Sequence, residues 1–156
     1  MLTVEELKAA AQSAIDRRRK WLITIAETIL RTPETGFREV ETSRYVGERL
    51  RELGVEHEAG IAFTGIKGFL QGGAARPCVA VICELDSLTV PGHPHADPQT
   101  GAAHACGHNC QAAIMLGAAA GLMASGVLEA LSGRVALMAV PAEEFIDVEY
   151  RWDLHR

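Results

Sequence analysis

Aromatic side chains and positive charge are both scarce in this sequence of 156 residues, and each shortage excludes something. Phe, Trp and Tyr together make up 5% of the residues, so the core must be built from Ala, Leu, Ile and Val. The formal net charge is −5, which leaves no basic field to attract a phosphate backbone. We therefore expect no nucleic-acid partner.

Long hydrophobic runs are missing as well. The richest apolar stretch, Ala112–Met123, is shorter than the ~20 residues that a membrane span needs. The segment Met1–Leu7 is acidic and polar, unlike the basic and then apolar start of a signal peptide. Four cysteines in a chain without an export signal are expected to stay reduced. These features predict a cytoplasmic protein with no membrane partner.

Helical periodicity dominates the first third of the chain. Thr3 and Glu6 have the spacing of a capping box, and apolar residues at helical spacing then continue until Pro33. A second helix is predicted from Arg38 to Leu53, with Gly54 as the residue that ends it.

Three later segments have the composition of strands: Ile66–Leu70, Cys78–Cys83 and Arg134–Val140. The second is apolar throughout, as expected of a strand covered on both faces. A long loop rich in Pro and Gly, residues 86–104, and a buried helix, residues 109–125, separate it from the last strand. This order predicts an α/β fold with helices around a mixed, partly parallel sheet.

Chemically active side chains fall at the ends of two strands and at the start of the helix between them. Asp86 follows the second strand, and Glu143 and Glu144 follow the last one. Cys106 and His108 come directly before the helix. If the two strands are parallel, all of these side chains lie at the sheet edge where open α/β sheets bind ligands.

Each motif leaves an alternative open on its residues alone. Cys106 and His108 offer a thiolate and an imidazole, which are good zinc ligands, and Gly107 permits the non-helical turn that would aim both at one ion. A helix N-terminus is also expected to lower the pKa of the thiol. Taken alone, however, this spacing fits better a buried thiol beside a loop histidine, and Glu143–Glu144 fits better a solvated acidic turn.

Taken jointly, the order CELDSL (83–88), HACGHN (104–109) and PAEEF (141–145) resembles the zinc-dependent amidohydrolases and peptidases of the aminoacylase–carboxypeptidase type, peptidase family M20. TPETGFREVETS (32–43) resembles that family's early helix entry, and FTGIKGFLQGG (63–73) its first hairpin. Asn109, in place of the commoner aspartate, points to the branch of aminobenzoyl-glutamate hydrolases. The resemblance covers essentially the whole chain.

The resemblance implies a role for each of the five side chains. Cys106, His108 and Glu144 match metal ligands, Glu143 matches the general base, and Asp86 matches the aspartate that orients the site. It also implies zinc or another divalent metal such as manganese, with one or two ions in the intact family. The implied substrate is a small-molecule amide: an N-acyl or aminobenzoyl amino acid, or a small dipeptide.

Two features depart from the family pattern. Glu84 stands where many relatives carry a ligating histidine, so its role stays open. Relatives continue through a lid or dimerisation domain and bring further histidine ligands, so residues 1–156 are expected to be the N-terminal part of a zinc-exopeptidase-like catalytic domain. We expect such a part to hydrolyse amides poorly and to self-associate or form a homodimer. The alternative is a truncated, non-catalytic domain that binds metal weakly or not at all.

Overall fold

The computed structural model describes residues 2–154, which fold around one four-stranded sheet. The elements in chain order are α1 (Val4–Arg17), α2 (Arg19–Leu30), α3 (Val40–Glu52), β1 (His57–Ile61), β2 (Gly65–Gln71), β3 (Cys78–Glu84), β4 (Leu88–Thr89), β5 (Ala102–Ala103), α4 (His108–Leu122), α5 (Val127–Ala130), β6 (Arg134–Val140) and α6 (Val148–Asp153). Across residues 2–154, no helix has both the length and the apolar character needed to cross a membrane.

The sheet has the order β1-β2-β6-β3 and is mixed. β1 and β2 pair antiparallel, as do β2 and β6, whereas β3 and β6 run parallel with Glu84 opposite Val140. The predicted α/β class with a mixed, partly parallel sheet is confirmed. Because β3 and β6 are parallel neighbours, the chain leaves both strands at the same edge of the sheet.

α4 is the central helix and packs between the sheet and the pair α1 and α2. Its Leu116 is fully buried, as is Leu137 on the facing strand β6. A Cβ atom at Gly117 would lie 3.2 Å from the Leu22 side chain, and one at Gly121 would lie 3.0 Å from Ile15. The small residues of α4 thus let α1 and α2 approach closely.

The helical predictions hold except at one break. The capping box is present, since the Glu6 N–H donates to the Thr3 hydroxyl and the Thr3 N–H donates to the Glu6 carboxylate. The single helix predicted up to Pro33 is wrong, because Arg18 adopts φ −98° and ψ 7° and divides it into α1 and α2. The break allows both parts to pack against α4. Gly54 ends the α3 region with φ 78°, as predicted.

The prediction that β3 is covered on both faces is wrong. β3 is an edge strand of the sheet, and its Ile82 is 55% exposed. α4 packs on one face of β3, so apolar composition alone did not distinguish a strand with one covered face from a strand with two. The helix predicted as buried all round is also open on one side, where Ile114 is 67% exposed.

Two further segments differ from the prediction. The hairpin expected at residues 63–73 begins earlier, with β1 at His57, and the turn between its strands includes Phe63 at φ 81°. The loop predicted at residues 86–104 contains the short antiparallel pair β4 and β5, so its two ends are held together. That pairing brings the chain from the end of β3 back to the start of α4.

Candidate metal centre

Segments far apart in the sequence meet at the carboxyl ends of β3 and β6. Asp86 follows β3, and Glu143 and Glu144 follow β6. The Leu85 N–H donates to the Val140 carbonyl over 2.9 Å, which extends the parallel pairing beyond β3. The two segments that carry the acidic side chains therefore leave the sheet side by side.

The start of α4 adds a thiol and an imidazole at this edge. Gly107 precedes the helix with φ 91°, a left-handed conformation that glycine adopts without steric cost. The non-helical turn predicted there is confirmed. It brings the Cys106 Sγ, a ring nitrogen of His108 and a carboxylate oxygen of Glu144 within 4.8 Å of one another.

His108 is almost fully buried, and its environment fixes its tautomer. Its Nδ1 lies 2.8 Å from the main-chain carbonyl of Asp86 and 3.3 Å from Oδ1 of the same residue. Both of these atoms can only accept a hydrogen bond, so Nδ1 must carry the proton. The other ring nitrogen, Nε2, is thereby directed at the acidic side chains.

Three carboxylates surround Nε2 of His108. It lies 2.9 Å from Oε2 of Glu84, 3.6 Å from Oε1 of Glu144 and 3.9 Å from Oε2 of Glu143. Negative groups this close repel one another unless a cation lies among them. A proton on Nε2 or a metal ion bound to it supplies that cation.

The donor atoms form two overlapping sets that could hold a metal ion. One is Cys106, His108 and Glu144, the other is Glu84, His108 and Glu143, and in each set the donor atoms lie within 4.8 Å of one another. Oε1 of Glu144 is buried, and no donor among residues 2–154 forms a hydrogen bond to it. A buried acceptor without a partner is costly, and a bound cation would satisfy it. The set of thiolate, imidazole and carboxylates fits a divalent metal.

The thiol of Cys106 does not behave as the sequence predicted. A hydrogen bond to the Glu144 carboxylate, together with the negative charge of that group, raises the pKa of Cys106. The expected lowering by the helix N-terminus is therefore wrong for the metal-free protein, because the adjacent carboxylates outweigh the helix. Metal binding at this position must displace the thiol proton.

Asp86 connects the two sides of the site. It is fully buried, and its Oδ2 accepts the main-chain N–H of Glu144 over 2.9 Å. Its other carboxylate oxygen faces Nδ1 of His108. Asp86 thus holds the imidazole of His108 through its main-chain carbonyl and the main chain of a predicted ligand through its carboxylate, while Oδ1 accepts no hydrogen bond among residues 2–154. This is the geometry of a residue that orients metal ligands.

Two residues near the centre carried little or no signal in the sequence. Glu84 Oε2 contacts His108 Nε2 and also accepts a hydrogen bond of 2.8 Å from Nε2 of Gln111. For Glu84 the sequence offered an indication but no role, since it stands where many relatives of the resembled family carry a ligating histidine. Gln111 lies in the first turn of α4 and had no signal of its own.

Two other residues of the HACGHN segment do not contribute metal donors in either set. Asn109 is buried, and its Nδ2 donates to the main-chain carbonyl of Ala26 in α2 over 3.1 Å. It ties α4 to α2. His104 is also buried, and burial, helped by the charge of His108, lowers its pKa to about 4. It is therefore a neutral imidazole behind the site at neutral pH.

Comparison with known proteins identifies relatives for most of the chain. It is 37% identical over 127 residues to IAA-amino acid hydrolase ILR1-like 4 of Arabidopsis thaliana, a match that covers 80% of this chain and 28% of the relative. It is 35% identical over 145 residues to thermostable carboxypeptidase 1 of Saccharolobus solfataricus, covering 90% and 35%. N-acetyl-L-cysteine deacetylase of Bacillus subtilis is 32% identical over 128 residues, covering 80% and 30%. No family model matches the chain.

Solved structures show the same relationship. The Bacillus subtilis YXEP protein, a dinuclear metal-binding peptidase from the M20 family, superposes with a TM-score of 0.69 at 28% identity, covering 85% of this chain and 37% of that one. A protein of methicillin-resistant Staphylococcus aureus assigned as an aminohydrolase gives a TM-score of 0.74 at 27% identity, covering 88% and 36%. The chain is thus similar, over most of its length, to hydrolases that include a peptidase of the M20 family, as its motifs predicted, and it spans about a third of the length of these relatives. The aminobenzoyl-glutamate branch stays a prediction.

Proposed function

We propose that this homologue of the M20 metallohydrolases provides the metal-binding part of a catalytic domain that hydrolyses amide bonds. The observation that carries the proposal is the surroundings of His108. Its Nδ1 is held by Asp86, and its Nε2 points into three carboxylates. Such an arrangement fits a site built around a cation.

Cys106, His108 and Glu144 would hold the ion. A thiolate, an imidazole and a carboxylate are a common set for zinc, and the thiolate disfavours harder ions such as magnesium. For these three ligands, manganese is the second choice of metal. Glu84 and Glu143, with the shared His108, would border a second ion, as the dinuclear relative suggests. A bound metal of this kind supplies a Lewis acid and an acidic water at neutral pH.

Glu143 would act as the general base. Its side chain is half exposed, whereas that of Glu144 is 17% exposed, so Glu143 is the carboxylate that solvent and substrate reach more easily. It would take the proton of the attacking water and pass it to the leaving amine. Asp86 would keep the His108 imidazole in place through its main-chain carbonyl, and the Glu144 main chain through its carboxylate, during this proton transfer.

The substrate would be an N-acyl or aminobenzoyl amino acid, or a small dipeptide. The names of the relatives support this class, since they include hydrolases of IAA-amino acids and a deacetylase of N-acetyl-L-cysteine. Residues 1–156 would form one part of the catalytic domain, and full activity would require further ligands.

Metal titration tests the proposal. Co²⁺ bound to a thiolate gives a charge-transfer band, so we expect this band in the wild-type chain and its loss in Cys106→Ser. Cys110→Ser is the matched control, because Cys110 is also an exposed thiol at the start of α4. Hydrolysis of N-acetyl amino acids in the presence of Zn²⁺ or Mn²⁺ is measured on the same samples. A Co²⁺ spectrum unaffected by Cys106→Ser would contradict the ligand assignment.

A non-catalytic domain that binds metal weakly or not at all is the second candidate. It is favoured by the composition of the two donor sets, which within residues 2–154 share His108 as their one histidine. Weak or absent metal binding together with no measurable hydrolysis would support this second candidate over the first.

A further inference from the structure

A fully buried carboxylate, Glu39, lies outside the donor sets of the metal centre. It occupies the position before the first turn of α3, yet its side chain does not cap that helix. The capping is done instead by Glu34, whose carboxylate accepts the main-chain N–H groups of Glu41 at 3.1 Å and Thr42 at 2.8 Å. Glu39 is thereby left for other partners.

Those partners lie in distant parts of the chain. One oxygen of Glu39 accepts the hydroxyl of Thr64 over 2.7 Å, and the other accepts the main-chain N–H of Ala142 over 2.8 Å. Ala142 immediately precedes the two glutamates of the metal centre. Its φ of 53° is in the left-handed region, which is unfavourable for a residue with a Cβ, so its neighbours must hold it there.

The segment of paired glutamates is consequently held at two main-chain points. Ala142 N–H is bound by Glu39, and Glu144 N–H is bound by Asp86. The loop that carries Glu39 also packs closely on this segment, since a Cβ atom at Gly36 would lie 2.5 Å from the carbonyl oxygen of Phe145. The direction of both glutamate side chains depends on these contacts.

We propose that Glu39 is a positioning residue for the metal centre, acting through the main chain of Ala142 to place the carboxylate of Glu144 against the ion. The inference rests on the proposed function, since it assumes that Glu144 is a ligand. It assigns a role in metal affinity to Glu39, a buried residue at the start of α3 that lies outside both donor sets.

Two substitutions of Glu39 distinguish a role in positioning the metal centre from a general contribution to the stability of the fold. Glu39→Gln keeps both bonds, because the amide oxygen accepts from Ala142 and the amide nitrogen donates to the Thr64 hydroxyl. Glu39→Leu fills a similar volume but removes both bonds. Val46→Ala is the matched control: Val46 is fully buried in the same helix, and its truncation lowers stability without touching the centre.

Co²⁺ affinity is measured from the thiolate band at a temperature where every variant is folded. We expect Glu39→Gln to bind within about threefold of wild type and Glu39→Leu to bind about tenfold more weakly or worse, the scale of one lost hydrogen bond to a charged group. Val46→Ala should melt at a lower temperature and bind as wild type. Wild-type affinity in folded Glu39→Leu, or equal weakening in Val46→Ala, would overturn the inference.

A double-mutant cycle identifies the route. If Glu39 acts through Glu144, then Glu39→Leu should have little further effect on Co²⁺ affinity in a Glu144→Gln background. Full additivity of the two effects would contradict that route.

Should Glu39→Leu fail to fold, Thr64→Val is the substitute, because it removes one of the two hydrogen bonds of Glu39. It is expected to weaken Co²⁺ binding severalfold, and wild-type affinity would refute the inference. A wild-type chain without a Cys106-dependent band would instead contradict the proposed function.

Discussion

Replacement of Asp86 by Asn tests the residue that links the two sides of the metal centre. The carboxylate of Asp86 faces two N–H groups. Its Oδ2 accepts the main-chain N–H of Glu144 at 2.9 Å, whereas Oδ1, which accepts no hydrogen bond among residues 2–154, lies 3.3 Å from Nδ1 of His108. An asparagine can present its oxygen to one of these N–H groups, but it then turns its NH₂ group toward the other. In either orientation of the amide, its NH₂ group therefore faces one of the two N–H groups and cannot accept a hydrogen bond from it.

The structure sets the size of the effect. A hydrogen bond to a charged group contributes about 1.5–3 kcal/mol, and in Asp86→Asn the Glu144 N–H loses its charged acceptor, so the metal-free variant should be less stable than wild type by up to that order. Removing a partner that orients metal ligands usually lowers metal affinity about 10- to 100-fold. That range corresponds to about 1.4–2.7 kcal/mol of binding free energy.

Urea unfolding of the metal-free proteins measures the first effect, and Co²⁺ titration of the folded proteins measures the second. Asp16→Asn controls for net charge, because Asp16 is exposed on α1 and far from the centre in sequence. Wild-type metal affinity in Asp86→Asn would refute the view that Asp86 orients the ligands. If Asp86→Asn and Asp16→Asn lowered metal affinity equally, the contribution of Asp86 would be that of its negative charge alone.

Three further predictions follow from the centre and its surroundings. In an intact homologue, the change equivalent to Glu143→Gln should keep Co²⁺ affinity and lower turnover about 100-fold or more, whereas the change equivalent to Glu144→Gln should lower Co²⁺ affinity. Exchanged effects in titration and kinetics would reverse the two roles. Burial raises the pKa of Cys83 to about 12, so mass spectrometry should find Cys83 unmodified by iodoacetamide at pH 8. The exposed Cys106 should be modified, slowly because its own pKa is also raised, and Zn²⁺ should prevent the modification. Burial also raises the pKa of Glu39 above 4.5, so the folded state holds that proton more tightly and stability should fall as pH rises from about 4.5 to the raised pKa. Urea unfolding across this window should show a weaker fall in Glu39→Gln, and an identical pH profile would contradict the shift.

Local signals explain why the outline of the site could be predicted from the sequence. The apolar segments that became β3 and β6, with a helix between them, indicated a parallel pair and therefore one shared edge. Gly107 indicated a turn that would bring Cys106 and His108 together, and its φ of 91° provides that turn. These features depend on residues close together in the chain, so composition and spacing reveal them.

Long-range contacts explain what the sequence did not reveal. β1, with the sequence HEAGI, has little apolar alternation and becomes a strand by pairing with β2. From the sequence alone, Glu39 cannot be distinguished from an ordinary residue at the start of a helix, because its partners Thr64 and Ala142 lie 25 and 103 positions away. The open face of β3 was hidden for a similar reason, since exposure depends on which elements cover a strand rather than on its composition.

That open face leads to a last prediction. Ile82 on β3 pairs with Met138, which pairs with Lys67 on β2, and these side chains lie on the face of the sheet opposite α4. Ile82 is 55% exposed there, on an edge strand whose outward main-chain groups can pair with another strand. We expect the chain to self-associate through this face.

Ile82→Thr keeps a β-branched side chain but removes apolar surface. Burying the exposed half of an isoleucine contributes about 1 kcal/mol, so a twofold dimer that loses two such contacts should bind roughly tenfold more weakly or worse. Val4→Thr is the matched control, because Val4 is 65% exposed on α1, away from the sheet. Sedimentation velocity over a range of concentrations measures the association. A wild-type chain that stays monomeric at every concentration, or equal effects of the two substitutions, would show that this face is not the contact and that its apolar side chains remain in water.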